Sequence, residues 1–204
     1  MKKFFNTLFT SLWFKCIFTL VLIIGISGCS LSILSDVLYV SSEERTTRAI
    51  KKIYGEVEDY NTLFDGENSG IIEYDFGSID KIYEIQVNEN ESYLLFKSTG
   101  KQGYKGGSIS LWTSVSENSD GTLSIKSVVL DGYDKQTLMS KLTSVFYGNF
   151  ALTDVTEAYE NGELFSTKEN AVNSNPVTGA TMSANAAVNA VNCVITYLGE
   201  NYEN

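Results

Sequence analysis

The sequence predicts an α+β fold, an antiparallel sheet packed with helices on one side, preceded by a single N-terminal membrane segment. Three observations predict it. Four runs between residues 81 and 130 alternate apolar and polar residues with period two and are separated by short turn-forming stretches. Two later stretches switch to helical spacing. Twenty consecutive uncharged residues, 16–35, match the ~20 that an α-helix needs to cross a ~30 Å hydrocarbon core. At 204 residues, 43% apolar and with one proline, the chain has room for one globular domain plus an anchor and can bury a core.

Lys2, Lys3 and Lys15 precede the apolar stretch and acidic residues come after it. The positive-inside bias therefore leaves residues 1–15 in the cytoplasm, makes 16–35 a transmembrane helix and exports the remainder of the chain. The same residues allow a second arrangement. Ile26-Ser27-Gly28-Cys29 resembles a bacterial lipobox, in which the signal is removed before Cys29 and that cysteine carries the lipids. Apolar residues continuing past Cys29 favour the spanning helix. In both arrangements the domain at 57–204 is extracytoplasmic.

A juxtamembrane helix is expected within 36–56, because Glu43 and Glu44 open a first turn, basic residues follow, and Gly55 can end it. YNTLFDGENSG then reads as a solvated loop rich in turn residues, with the calcium-loop pattern left incomplete. KIYEIQV and SYLLFKS form a hairpin turning at Asn88 to Glu91, and GSISLWTSV and TLSIKSVVL form another around SENSDG, with Ile109, Leu111 and Val115 on related faces. DKQTLMSKLTSVFYGNF reads as a helix with Leu138, Leu142, Val145 and Phe146 along one stripe, closed by Gly148. Residues 149–174 read as irregular or short-stranded. Ser183 opens the last helix, in which Ala187, Val188, Val191, Val194 and Ile195 recur at helical spacing.

Composition excludes several functions. Of 15 basic and 25 acidic residues, only Lys2, Lys3, Lys15 and Asp36 lie within the first 40, so the rest of the chain carries a net charge of −12. Such a surface repels nucleic-acid phosphates and anionic headgroups. No histidine is present, which removes the commonest general base and transition-metal ligand. No residue is nominated as catalytic or as a metal ligand. Cys16, Cys29 and Cys193 have neither metal spacing nor a paired framework, and Cys193 reads as a small core residue.

The remaining signal is Thr178-Gly179-Ala180-Thr181, where the irregular segment turns into the last helix. A helix N-terminus offers unpaired N–H groups and roughly half a positive charge, enough to receive a phosphate without lysine or arginine. Gly179 permits close backbone approach, Ala180 adds no bulk, and Thr181 brings a hydroxyl. That hydroxyl can donate a hydrogen bond to a phosphate or be esterified by one, and residue chemistry leaves both open.

T-G-A-T-M-S, followed by an alanine- and valine-rich helix, resembles the [S/T]-G-A-T-x-[T/S] signature of the FMN-binding domain family, found in flavin-carrying subunits of the Rnf electron-transport complex and of the sodium-translocating NADH:quinone reductase. Gly103-Tyr104-Lys105-Gly106-Gly107, just before a strand, is similar to the family's G-Y-x-G segment. The resemblance implies FMN joined to Thr181 by a phosphoester, with Thr178, Gly179, Ala180, Met182, Ser183, Gly103, Tyr104, Gly106 and Gly107 contributing to cofactor binding. It implies a Mg-dependent flavin transferase that installs FMN from FAD. It further implies a redox subunit working beside other membrane subunits of an ion-translocating oxidoreductase complex, rather than a stand-alone enzyme. Tyr104 and Trp112 are candidates to lie beside the flavin ring, although the alternating strand position of Trp112 favours the core. The chain departs from the family at Asn175, where aspartate is usual, and at Lys135-Gln136-Thr137-Leu138-Met139, where the family has E-T-P-G-L-G. Two other readings stand beside this one: a flavinylated surface lipoprotein that passes electrons to extracellular acceptors, and a cofactor-free binding or structural lipoprotein in which Thr181 or Ser183 merely caps the helix.

Overall fold

The computed structural model describes residues 12–38, 41–89, 91–152 and 154–202. Most of the expected cytoplasmic segment, Lys2 and Lys3 included, lies outside the described residues. The chain divides into two compact units, residues 1–44 and 45–204.

The first unit holds α1 (Leu12–Leu38), which at 1.5 Å per residue is about 40 Å long. Its Trp13–Ser32 part reaches a mean hydropathy of 2.1 over an 18-residue window, with no buried share, so it is apolar enough to cross a membrane. Thr19 Oγ1 donates to the Lys15 carbonyl at 2.8 Å, which keeps its hydroxyl satisfied within the helix. The helix runs unbroken through Cys29.

The second unit opens within α2 (Ser42–Tyr54), where Glu43 and Glu44 lie in the first turn and Lys51 and Lys52 in the last, each sign suiting the helix dipole. Gly55, at φ 80°, ends it. Six strands come next: β1 (Asp59–Asp65), β2 (Ile72–Tyr74), β3 (Gly77–Asn88), β4 (Glu91–Gly100), β5 (Ile109–Glu117) and β6 (Leu123–Tyr133). They form one antiparallel sheet in the order β1-β3-β4-β5-β6, with β2 also paired to β3. The four alternating runs are β3 to β6. The YNTLFDGENSG stretch is not a plain loop. It carries most of β1 and a helical turn, α3 (Gly66–Ser69), whose start is capped by the Asp65 carboxylate accepting from Glu67 N–H at 3.1 Å.

Both faces of the sheet are covered. On one lies the main core, in which Ile79, Ile82, Phe96, Ile109, Leu111 and Val115 meet the last helix. On the other, Ala49 and Ile50 of α2 pack on Tyr83, Ile85, Leu95 and Trp112, so helices occupy two sides rather than the one expected. An amphipathic helix with two buried apolar residues needs such a surface. Trp112 is buried in this second cluster, its Nε1 donating to Asp131 Oδ1 at 3.0 Å, with Lys97 Nζ 3.1 Å from Asp131 Oδ2 and 5.4 Å above the ring.

The segment 134–150 is not one helix. It contains a 3-10 turn (Met139–Lys141) and a short α4 (Ser144–Gly148). Leu142 and Phe146 are buried as the stripe requires, but Leu138 and Val145 are 44% and 70% exposed. Lys135 adopts φ 54°, and the side chain of Gln136 turns inward to hydrogen-bond elsewhere, which withdraws this end from any helix. Beyond it, α5 (Val155–Glu160) is capped by Asp154, which accepts from Glu157 N–H at 2.8 Å. Phe146, Phe150 and Phe165 pack edge to face, with successive centroids 5.2 and 5.0 Å apart.

The last helix, α6 (Thr181–Asn201), starts two residues before Ser183. It lies directly on strand backbone. Gly77 and Gly100 are register partners across β3 and β4. A Cβ on Gly100 would run into Ala186 O and Ala190 N, and one on Gly77 into Thr99 O and, at 2.6 Å, Cys193 Sγ.

Candidate functional site at the start of the last helix

Ala180 is the N-cap of α6 and no side chain caps the helix. The first ladder bond runs from Ala184 N–H to Ala180 O at 2.9 Å, so the amides of Thr181, Met182 and Ser183 have no partner inside the helix. The entry is a turn closed by Ala180 N–H to Val177 O at 3.2 Å, with Gly179 at φ 80°. Nothing lies within 4 Å of where a Gly179 Cβ would stand, so the backbone here faces open space. Thr178, Gly179, Thr181 and Met182 are at least partly exposed, whereas Ala180 and Ser183 are buried. Thr181 Oγ1 makes one long bond, donating to Val177 O at 3.4 Å. Neither Thr181 nor Ser183 caps the helix with its side chain, contrary to the cap expected of one or the other.

The Gly103–Gly107 segment is a tight 3-10 turn held by Gly103 N–H to Gly107 O at 2.9 Å and Gly107 N–H to Tyr104 O at 3.0 Å. Lys105 and Gly106 take φ 51° and 69°. Tyr104 is half-buried, and Lys105 Nζ sits 5.4 Å over its ring.

These two segments, more than 70 residues apart in sequence, are joined by one side chain between them. Gln136 Oε1 accepts from Ser183 Oγ at 2.8 Å and from Tyr104 N–H at 3.0 Å, while its Nε2 donates to Asp134 O at 2.9 Å. A second tie runs from Asn189 Nδ2 on α6 to Lys101 O at 3.0 Å. Sequence reasoning marks Gln136 only as a departure from a motif. Gln136 lies two residues before the first apolar position of the expected stripe, so the helical pattern carries no signal for it.

Asn175 is buried. Its Nδ2 donates to Phe146 O at 3.0 Å and its Oδ1 accepts from Asn149 Nδ2 at 3.2 Å, so its amide fastens α4 to the segment leading into Thr178. Trp112 belongs to the opposite face of the sheet and is not brought to this junction. Two surface hollows, of about 440 and 420 Å³, are lined respectively by β6 and α4 residues and by residues around Leu63, Tyr93 and Tyr202; neither includes residues 178–183. Among the described residues no group of three or more His, Cys, Asp or Glu side chains stands ready for a metal. Burial, with the Asp80 carboxylate adding to it, pushes the Cys193 thiol up to about 12, so it stays protonated.

Comparison with protein-family models finds none that matches the chain, and neither the curated proteins nor the solved structures compared with it provide a match. The geometry alone therefore defines the class: an α+β domain following an apolar helix, with an exposed hydroxyl at the uncapped start of a buried helix.

Proposed function

We propose that this protein is a membrane-anchored electron-transfer flavoprotein carrying FMN in phosphoester linkage on Thr181, acting as the redox subunit of an Rnf-type ion-translocating complex. The observation that carries the reading is the start of α6, where an exposed hydroxyl coincides with amides that no side chain has claimed. The residues present fit the phosphate of such a group. Its remaining negative charge suits the amides and positive end of the helix, so no lysine need approach. Open space at Gly179 leaves room for it.

Attachment makes Thr181 a nucleophile. Its Oγ bonds to the flavin-side phosphorus of FAD as the pyrophosphate bond breaks, AMP leaves, and the hydroxyl proton is released. Once bound, the flavin would supply the uptake and release of electrons, and this chain supplies placement. The absence of histidine is no obstacle to that work. The α1 helix anchors the protein, the lysines before it favour an extracytoplasmic domain, and a covalent bond there prevents loss of cofactor by dilution. Other membrane subunits would be its electron donors and acceptors, by analogy with the family.

The full chain, coexpressed with a flavin transferase and run on a denaturing gel, should give a band fluorescent under ultraviolet light and an intact mass raised by one FMN less the water lost in forming the ester. Thr181→Val should lose both signals while its melting temperature stays near that of the wild type. A wild-type mass equal to the polypeptide, with or without lipid on Cys29, overturns the proposal.

A further inference from the structure

We infer that Gln136 is a positioning residue for modification of Thr181, the element that holds the helix start while leaving its amides free; this rests on the proposed flavin attachment. A helix with a buried body needs its first turn anchored, and the usual device is a side-chain oxygen bonded to an amide of the first turn. Such a cap on α6 would consume the donors that a phosphate requires. The chain anchors α6 differently. Ser183 turns its hydroxyl away from the helix backbone and donates to Gln136 Oε1 at 2.8 Å.

The same oxygen accepts from Tyr104 N–H at 3.0 Å, using both of its lone-pair directions, so one atom sets the helix start and the Gly103–Gly107 turn in register. Gln136 itself is only 8% exposed and is held by Nε2 donating to Asp134 O at 2.9 Å. The two outer glycines of the turn make the space. A Cβ on Gly103 would stand 2.5 Å from Gln136 Nε2, and one on Gly107 would stand 2.7 Å from it. Gly103 and Gly107 thus explain themselves as the walls of a slot for an amide side chain, a role separate from any contact with cofactor.

The test uses the full chain with three substitutions, Gln136→Met, Gln136→Glu and Ser183→Ala. The direct readout, independent of cofactor, is hydrogen exchange at the Tyr104 amide. It should accelerate at least about tenfold in Gln136→Met, where the acceptor is gone, and change less in Ser183→Ala. The functional readout is the initial rate of Thr181 loading by the transferase, relative to wild type at each pH. Gln136→Met should load at least about tenfold more slowly while remaining folded by circular dichroism. Gln136→Glu keeps both acceptor bonds but turns an oxygen toward Asp134 O. Its relative loading should recover as pH falls and the carboxyl regains a proton to donate, a profile that a general loss of stability in Gln136→Met would not share. Should Gln136→Met fail to fold, the near-isosteric Gln136→Glu decides the matter by that profile. Wild-type and variant chains loading equally would overturn this inference and leave the flavin reading intact. A wild type that never loads would overturn both.

Discussion

Replacing Gly100 by alanine should move α6 off the sheet. The added methyl meets Ala186 O and Ala190 N, both main-chain atoms of the helix, with Ala186 C at 3.0 Å. No rotamer change relieves such a contact, so the helix must shift or tilt. Gly100 does not occupy the left-handed region, and the change would otherwise gain about 0.5–1 kcal/mol from a less flexible unfolded chain. Overpacking a core costs about 1–3 kcal/mol, and because main chain has to move here the cost lies at the top of that range or just above it, about 3–3.5 kcal/mol, which leaves a net loss of about 2–3 kcal/mol. At about 2–4 °C per kcal/mol for a domain of this size, the melting temperature should fall by about 4–12 °C. Thermal unfolding of the detergent-solubilised chain, followed by circular dichroism, measures it. Gly132→Ala in β6 is the matched control, since nothing lies within 4 Å of its Cβ, and it should melt at or slightly above the wild type. If Gly100→Ala melts within about 1 °C of that control, the close approach of helix and strand is wrong.

Two other perturbations concern buried groups. Asn175→Asp installs the residue usual in the resembled family but loses the donor to Phe146 O, and should destabilise by about 1–3 kcal/mol at neutral pH. Burial raises the new carboxyl's pKa, so its neutral, donating form is favoured as pH falls, and the melting-temperature gap to wild type should narrow on acidification; a gap constant with pH contradicts this. Cys193, held up to about 12 by burial, should resist iodoacetamide at pH 8 until the domain is unfolded, as read by peptide mass mapping. Because its folded pKa lies above the unfolded one, its contribution to stability is complete below about pH 8.5 and is lost as pH rises toward 12. Stoichiometric labelling of the native protein would refute that protection.

How much of the molecule is legible in advance depends on how locally each feature is encoded. Strands β3 to β6 announce themselves because alternate residues such as Ile109, Leu111 and Val115 face one core. β1 is an edge strand with a largely exposed, polar sequence, and its Asp and Asn residues look like turn formers. The stripe Leu138, Leu142, Val145 and Phe146 misleads because only two of the four are buried, and the burial of Gln136 beside them decides the local chain path. At the candidate site, the bare helix start is visible as Thr178 to Thr181. Its partner is not, since Gln136 lies 32 residues from Tyr104 and 47 from Ser183, and no periodicity spans such separations.

The paired glycines under α6 carry one more implication. A helix seated on side chains can drift as those side chains are exchanged, and its end drifts with it. Here the contact between Gly100 and the Ala186–Ala190 turn is main chain on main chain, five residues beyond Thr181. The hydroxyl's address is thus written in missing atoms, and the loops around it are free to vary without relocating it.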